Sequence, residues 1–168
     1  AVTSLGMSFE DSWRAMLAGE NGVSSIEHFD TAEFRTTFAG MIRDYDPEAR
    51  FGVKDAKKLD IFTQYGLLAA DDCFADANID LGACDLDRVG CILGTGIGGI
   101  QAIESAHLVQ LERGPRRTSP HFIPKMMPNA LSAQISIKYG LRGSNYVTGS
   151  ACASAGHALG MALRTIQY

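Results

Sequence analysis

The sequence predicts an α/β layered fold, and three observations support this prediction. Segments with apolar residues at helical spacing alternate along the chain with short apolar runs typical of strands. The chain has 168 residues, of which 46% are hydrophobic and 20% charged, so it can bury a core. Glycines follow several of the helical segments, as they do at helix ends. The length favours a single domain.

Residues 1–93 contain two predicted helices and one predicted strand. A helix is expected over residues 10–18, followed by Gly19, because its apolar residues recur at helical spacing. A longer helix is expected over residues 57–77, with Asn78 closing it. Residues 88–93 form an apolar run that predicts a buried strand.

The second half is predicted to be mainly helical. Residues 99–113 and 129–139 have helical spacing, whereas residues 119–128 carry three prolines and cannot be regular helix throughout. The final helix, residues 155–166, is apolar around much of its circumference, which is typical of a helix buried from several sides. We therefore expect this 168-residue chain by itself to expose apolar surface and to be unstable or prone to aggregation.

One cysteine is distinguished by its position. The segment 145–157 begins as a β-type run, breaks into small residues and places Cys152 at a predicted helix start. The unpaired N–H groups and the positive dipole end of a helix favour the thiolate, which is the nucleophilic form of cysteine. Cysteine is also among the residue types most often buried, so the same position suits simple packing. The pattern alone leaves both interpretations open, an activated nucleophile and a packing residue.

The other cysteines give information about compartment and metal binding. Cys73 and Cys91 lie in apolar segments and are expected to be inert packing residues, and Cys84 lies between them. The four cysteines show no paired metal-ligand spacing, and no secretory leader precedes them, which predicts reduced thiols, no metal site and a cytoplasmic location. No run approaches the ~20 apolar residues of a membrane span, so no membrane association is expected.

Charge argues against one class of partner. The net charge of -4 disfavours nucleic-acid binding, which needs a concentrated excess of lysine and arginine. Cationic residues cluster once, at Arg113, Arg116, Arg117 and Lys125. Such a cluster is usually a solvated face, and the alternative is a surface that receives an acidic protein.

A glycine-rich segment, residues 94–99, lies between the predicted strand and the next helix. Dinucleotide-binding folds use the same layout. The spacing here is not the strict Gly-x-Gly-x-x-Gly, no convincing acidic ribose partner follows, and no Gly-Lys-Ser phosphate loop is present. Nucleotide binding is therefore disfavoured, and no cofactor is expected.

Several separate blocks of the sequence are distinctive, at residues 13–23, 28–30, 58–65, 94–99, 114–116, 119–124, 139–143 and 150–154. In their order and at similar spacings, these blocks resemble those of the β-ketoacyl-[acyl carrier protein] synthases, which are condensing enzymes of the thiolase fold. The similarity is closest to the type II elongating synthases of bacterial fatty-acid synthesis, with polyketide ketosynthases next.

This resemblance implies the first half of a thiolase-like fold, a mixed sheet sandwiched between helices, with residues 1–168 as a truncated N-terminal synthase domain. The chain has Ser4 where the family usually has glycine, and it ends at Tyr168. The family's two catalytic histidines, a lysine and a glycine-phenylalanine loop belong to the second half of such enzymes. The resemblance therefore implies that this chain carries half of an active site.

The resemblance also implies site residues. Cys152 corresponds to the nucleophile, and its backbone N–H corresponds to one oxyanion donor. Ile97 occupies the position of a gate residue in the acyl tunnel, between Gly96 and Gly98, which leave it room to move. Phe122 occupies the position of an aromatic residue that reaches the far end of the partner subunit's tunnel.

The implied reaction is a two-stage condensation. The Cys152 thiolate takes an acyl group from acyl carrier protein. Malonyl-[acyl carrier protein] then loses CO2, and its carbanion attacks the bound acyl group to release a 3-oxoacyl product two carbons longer. The implied partners are acyl carrier protein and a second copy of the chain in a homodimer. This chain alone is expected to be inactive, because the histidine pair is missing.

Three alternatives remain: a polyketide ketosynthase, a non-catalytic half that resembles a chain-length factor and only dimerises, and a thiolase. The presence of Cys152 favours an enzyme, since non-catalytic partners usually replace the nucleophile. The blocks at residues 114–116, 119–124 and 139–143 favour a carrier-protein synthase over a thiolase.

His157 lies five residues after Cys152 and invites the interpretation of a Cys-His dyad. Five residues at 100° each turn the ring by about 140° away from the cysteine's side of a helix, so a surface or packing role is favoured. The remaining histidines match no histidine base of the family; they are His28, His107 and His121. No acid-base partner for Cys152 is therefore expected within these residues.

Overall fold

The computed structural model describes all residues, 1–168, and the chain forms two compact units. The first comprises residues 1–46 and 68–77, and the second comprises residues 47–67 and 78–168. The helices in chain order are α1 (Phe9–Leu17), α2 (Pro47–Ala56), α3 (Ile61–Ala77), α4 (Ile100–Arg113), α5 (Phe122–Met126), α6 (Ala130–Tyr139) and α7 (Ser154–Gln167). The strands are β1 (Val23–Ser25), β2 (Phe38–Gly40), β3 (Cys91–Gly94) and β4 (Asn145–Thr148).

The first unit contains α1, the antiparallel pair β1–β2 and the C-terminal part of α3. Ser8 caps α1, because its hydroxyl accepts the N–H of Asp11 at 3.1 Å. The residues before α1 form a tight turn, closed by backbone hydrogen bonds between Thr3 and Gly6. The Thr3 and Ser12 hydroxyls lie 2.8 Å apart, and this hydrogen bond holds the turn against α1.

In the second unit, β3 and β4 pair in parallel, from Cys91 opposite Asn145 to Gly94 opposite Thr148. Helices α6 and α7 both pack against this pair, and α4 packs against α5. Because parallel strands point the same way, their carboxyl ends meet at one edge of the sheet. The segments that follow the two strands, residues 95–99 and 149–153, therefore lie side by side.

The predicted α/β class is confirmed, with β pairing limited to two small sheets. The helices predicted over residues 10–18, 99–113 and 129–139 form within one residue of those bounds. The helix predicted from residue 57 begins only at Ile61, because the Asp60 carboxylate accepts the N–H of Phe62 at 3.3 Å and so caps α3. The predicted strand begins at Cys91 rather than residue 88, since residues 85–89 form turns.

Helix α7 buries a narrow face. Ser154 and Ala158 are its buried residues, whereas Leu159 is 73% exposed and Ile166 is 84% exposed. The prediction that the final helix exposes apolar surface is thus confirmed. None of the helices combines the length and the hydropathy required to cross a membrane.

Candidate active site

Cys152 lies in the short 3₁₀ turn Ala151–Ala153, which connects β4 to α7, and its side chain is exposed. Residues 149–153 form the cysteine turn. Two N–H groups close it: Ala153 donates to the Ser150 carbonyl at 3.0 Å, and Ser154 donates to the Ala151 carbonyl. The N–H of Cys152 takes part in neither bond. Exposure of the thiol argues against the packing interpretation, and the N–H is available to a ligand.

The residue before Cys152 has an unusual backbone conformation. Ala151 has a φ of 48°, in the left-handed region that residues other than glycine rarely adopt. Such a conformation costs about 1–3 kcal/mol and persists only where the surrounding structure enforces it, often at functional sites. The cysteine turn must therefore be held by contacts outside itself.

Ser154 supplies those contacts. It is 3% exposed, its hydroxyl accepts the Ser150 N–H at 2.9 Å, and the same oxygen lies 2.7 Å from the Ala151 carbonyl and 3.2 Å from the Thr95 carbonyl. Its own carbonyl accepts the Thr148 hydroxyl at 2.8 Å. Sequence reasoning missed this residue. The available signal was a hydroxyl residue at a helix start, where serine commonly bonds to the backbone.

His157 is exposed, and its ring contacts a residue other than the cysteine. Its Nδ1 lies 2.7 Å from the Ser150 hydroxyl. The other three histidines are also exposed. The ring of His157 therefore contacts the cysteine turn through Ser150, and Cys152 has no imidazole partner among the residues of this chain.

The glycine segment, residues 94–99, leaves β3 and leads into α4. Gly98 has a φ of 81°, which favours glycine, and its N–H donates to the Thr95 hydroxyl at 3.1 Å. Ile97 lies between these two residues and is 62% exposed. The segment thus forms a tight turn that presents an apolar side chain to the surface.

The glycine segment and the cysteine turn approach each other closely. The Thr95 N–H donates to the Thr148 carbonyl at 3.2 Å, which continues the strand pairing by one residue. A Cβ built on Gly96 would lie 3.8 Å from the Cα of Ala151. The structure therefore brings the segments of Ile97 and Cys152 together.

Phe122, in α5, lies apart from these two. It is half-buried and lines a cavity of about 140 Å³ that also includes Ala102, Ala106 and Val109 of α4. Neither Ile97 nor Cys152 lines this cavity. The role implied for Phe122 concerns the tunnel of a partner subunit, so it stays a prediction.

The predicted cationic cluster is present on the surface. Arg113, Arg116 and Arg117 are exposed, and the first and third line one depression together with Val109. The Lys125 ammonium donates to the Lys57 carbonyl at 3.4 Å. Three exposed guanidinium groups thus lie around the end of α4.

The remaining cysteines differ from Cys152 in ways that the sequence anticipated only in part. Cys91 is buried in β3, and burial raises the pKa of its thiol, so it is inert as predicted. Cys73 is exposed, so its prediction as a packing residue was wrong. It lies on α3 in the first unit, which buries few of its residues on this part of the helix.

Comparison with known proteins agrees with this architecture. The family model described as Beta-ketoacyl synthase, N-terminal domain, matches residues 1–168. The 3-oxoacyl-[acyl-carrier-protein] synthase 2 of Vibrio cholerae serotype O1 is 40% identical over 167 residues, which are 99% of this chain and 40% of that protein. The protein of the same name from Staphylococcus aureus is 35% identical over 167 residues, which are 99% of this chain and 41% of that protein. The chain spans about 40% of the length of these relatives.

Solved structures show the same fold. A structure described as the ishigamide ketosynthase/chain length factor has a TM-score of 0.83 and 23% identity, covering 98% of this chain and 41% of that one. A second is described as AntDE:AntF, a type II PKS acyl-carrier protein in complex with its ketosynthase; it has a TM-score of 0.70 and 25% identity, covering 76% of this chain and 37% of that one. The thiolase-like fold implied by the sequence is thus confirmed. The family match over all 168 residues shows that the chain belongs to the β-ketoacyl synthase N-terminal domain family.

Proposed function

We propose that this chain supplies the acyl-accepting part of a 3-oxoacyl-[acyl-carrier-protein] synthase of fatty-acid elongation. The observation that carries the proposal is the exposed thiol of Cys152 in a strained turn at the carboxyl ends of two parallel strands. Relatives at 35–40% identity are synthases of this name. Residues 1–168 are then the N-terminal domain of a longer, cytoplasmic enzyme.

In the first step, the Cys152 thiolate attacks the carbonyl carbon of an acyl thioester on the phosphopantetheine arm of acyl carrier protein. The tetrahedral intermediate places negative charge on the former carbonyl oxygen. The N–H of Cys152, which closes no bond of its own turn, is suited to donate to that oxygen. When the intermediate collapses, the carbon–sulfur bond to the carrier breaks, the carrier thiolate takes a proton from solvent, and the acyl group remains on Cys152.

In the second step, malonyl-[acyl carrier protein] loses CO2 and the resulting carbanion attacks the acyl group on Cys152. The 3-oxoacyl product leaves on the carrier, and the cysteine thiolate is regenerated. The family resemblance assigns the decarboxylation to two histidines, and no histidine of this chain matches them. We therefore expect the 168-residue chain to be inactive in condensation.

The acyl chain is proposed to extend along the glycine segment. Ile97 is exposed between two glycines, Gly96 and Gly98, and its loop adjoins the cysteine turn, which supports a gating role for its side chain. Phe122 is proposed to contribute to the tunnel of a second copy in a homodimer.

Acyl carrier protein is the proposed macromolecular partner. The AntDE:AntF structure contains a ketosynthase in complex with its acyl-carrier protein, which supports a partner of the same class here. The exposed cluster of Arg113, Arg116 and Arg117 is suited to an acidic carrier surface by charge complementarity. Replacement of all three by glutamate should raise KM for the carrier substrate and leave kcat nearly unchanged.

Intact-mass measurement tests the proposed nucleophile. The full-length protein is incubated with acyl-[acyl carrier protein], and the mass of one acyl group should be added. Cys152→Ala should abolish this addition while the melting temperature is retained. Cys84→Ala is the matched control, since Cys84 is also exposed but lies outside the site, and it should acquire the acyl mass normally. Full acylation of the Cys152→Ala protein would remove Cys152 from the proposed role.

A second candidate is a polyketide ketosynthase or a non-catalytic chain-length factor. The structural similarity to the ishigamide ketosynthase/chain length factor supports this second candidate. A polyketide ketosynthase would be acylated and would then add several malonyl units without reduction between additions. A non-catalytic half would gain no acyl mass at all.

A further inference from the structure

Two segments with proposed roles, the glycine segment and the cysteine turn, share one hydrogen-bond donor. The Ser154 hydroxyl lies 2.7 Å from the Ala151 carbonyl in the cysteine turn and 3.2 Å from the Thr95 carbonyl in the glycine segment. A serine hydroxyl carries a single hydrogen. The hydrogen is therefore divided between the two segments, and a closer approach to one carbonyl weakens the bond to the other.

A second hydrogen bond closes each segment around its functional side chain. The Ser150 N–H donates to the Ser154 hydroxyl, and Cys152 lies between these two residues. The Gly98 N–H donates to the Thr95 hydroxyl, and Ile97 lies between these two. The positions of Cys152 and Ile97 are thus both set by residues that meet at Ser154.

The environment of Ser154 makes this link stiff. Its side chain is 3% exposed, so water cannot replace a lost partner without cost. A Cβ on Gly94 would lie 2.3 Å from the carbonyl carbon of Ser154, so strand β3 and the first turn of α7 are already in close contact. The Thr148 hydroxyl fixes the Ser154 carbonyl at 2.8 Å. A shift of the glycine segment must therefore change the hydrogen bonds of the Ser154 hydroxyl, because these contacts prevent the surrounding residues from moving to compensate.

We propose that Ser154 is a positioning residue that couples the conformation of the glycine segment to the geometry of the cysteine turn. When the segment moves to admit an acyl chain, the Thr95 carbonyl moves away and the hydroxyl hydrogen passes to the Ala151 carbonyl. The turn with the left-handed Ala151 is then held more firmly around Cys152. The assignment of acyl roles to Ile97 and Cys152 rests on the proposed function, but the coupling itself is independent of it.

Alkylation of Cys152 by iodoacetamide tests the coupling without any acyl substrate. The second-order rate is measured in the full-length protein by mass spectrometry of the peptide that contains Cys152, with the exposed Cys84 in the same sample as the internal reference. Thr95→Val removes the acceptor for the Gly98 N–H and should change the Cys152 rate by about threefold or more relative to Cys84. Thr95→Ser keeps the hydroxyl and should restore the original rate.

Ser154→Ala removes the link and should itself change the rate by about threefold or more. In the Ser154→Ala background, Thr95→Val should have almost no further effect, because the path between the segments is already broken. Thr165→Val, which removes an exposed hydroxyl bonded only within α7, is the matched control and should leave the Cys152 rate unchanged. If Ser154→Ala does not fold, the Thr95→Val and Thr95→Ser pair still decides the question.

The proposal is overturned if Thr95→Val leaves the Cys152 rate unchanged, or if the effects of Thr95→Val and Ser154→Ala multiply as independent changes. A second readout is the ratio of kcat/KM for long and short acyl substrates, which Thr95→Val should shift and Thr95→Ser should restore. Coupled alkylation rates in a protein that accepts no acyl group would contradict the proposed function and leave the coupling intact.

Discussion

Replacement of Gly94 by alanine should open the contact between β3 and α7 that positions the candidate site. A Cβ at this position would lie 2.3 Å from the carbonyl carbon of Ser154, 2.4 Å from its oxygen and 2.5 Å from the N of Ala155. Ordinary contact begins near 3.4 Å. The first turn of α7 would have to retreat by about 1 Å, because all three obstacles are backbone atoms that cannot rotate aside.

Overpacking of a filled site usually costs about 1–3 kcal/mol, and the rigid obstacle here places Gly94→Ala near about 3 kcal/mol. The full-length relatives are about two and a half times as long as this chain, so each kcal/mol should lower the melting temperature of the full-length protein by only about 1 °C. We therefore expect a loss of about 3–4 °C. The retreat of α7 should also slow acylation of Cys152, because the cysteine turn is held by Ser154.

The assay is thermal unfolding of the full-length protein followed by circular dichroism, together with the iodoacetamide rate of Cys152. Gly156→Ala is the matched control, since it lies in the same helix and a Cβ there meets no heavy atom within 4 Å. Alanine is a better helix former than glycine, so this control should gain about 0.5–1 kcal/mol. An unchanged melting temperature for Gly94→Ala would refute the reasoning, as would equal effects of the two substitutions.

Three further predictions concern stability and association. Asp60→Ala should lower the unfolding free energy by about 2 kcal/mol or more, because the 4%-exposed carboxylate accepts the Ala102 N–H at 3.0 Å. Asp55→Ala breaks only an exposed ion pair and should leave the urea midpoint nearly unchanged, so similar midpoints for the two variants would contradict this prediction. Burial raises the pKa of the Cys91 thiol above its ordinary 9.0, so the folded state keeps the proton to higher pH than the unfolded chain. Stability should therefore be full below about pH 9 and decline as pH rises through the folded-state pKa. Cys91→Ala should flatten this decline in urea titrations, whereas parallel pH curves for the two proteins would show that another group causes it. The isolated 168-residue chain should self-associate and bind an apolar dye through the exposed face of α7, and the double substitution Leu159→Lys, Ile166→Lys should reduce both effects. If the unsubstituted chain is monomeric and binds no dye, this prediction is wrong.

Helix positions were largely predictable because they depend on local spacing and end signals. The ends of α1 and α6 follow from Gly19 and Gly140, both of which have positive φ. The start of α3 carried a local signal that the sequence analysis missed, since aspartate is a common helix N-cap, and the structure adds a buried contact to the same carboxylate. The Asp60 carboxylate accepts N–H groups of both Phe62 and Ala102, which are 40 residues apart in the sequence but adjacent in the second unit.

The sequence proposes residues for the candidate site but does not reveal the contacts that support them. Cys152 and Ile97 were identified from the motifs that contain them, since a family keeps such residues in recognisable blocks. Ser154 lies in the same block and was missed. Its role depends on the Thr95 carbonyl, 59 residues away in the sequence and 3.2 Å from the Ser154 hydroxyl in space.

The amino-acid sequence alone determined the α/β class, the family, the position of the cysteine before a helix and the nearby glycine segment, because each depends on residue types at short range along the chain. The tertiary structure alone decided that the cysteine turn and the glycine segment meet, that Ala151 is held at positive φ, and that one buried hydroxyl serves both segments. The physical reason is the parallel pairing of β3 with β4. This pairing joins residues more than 50 positions apart, and no local pattern encodes the resulting contacts.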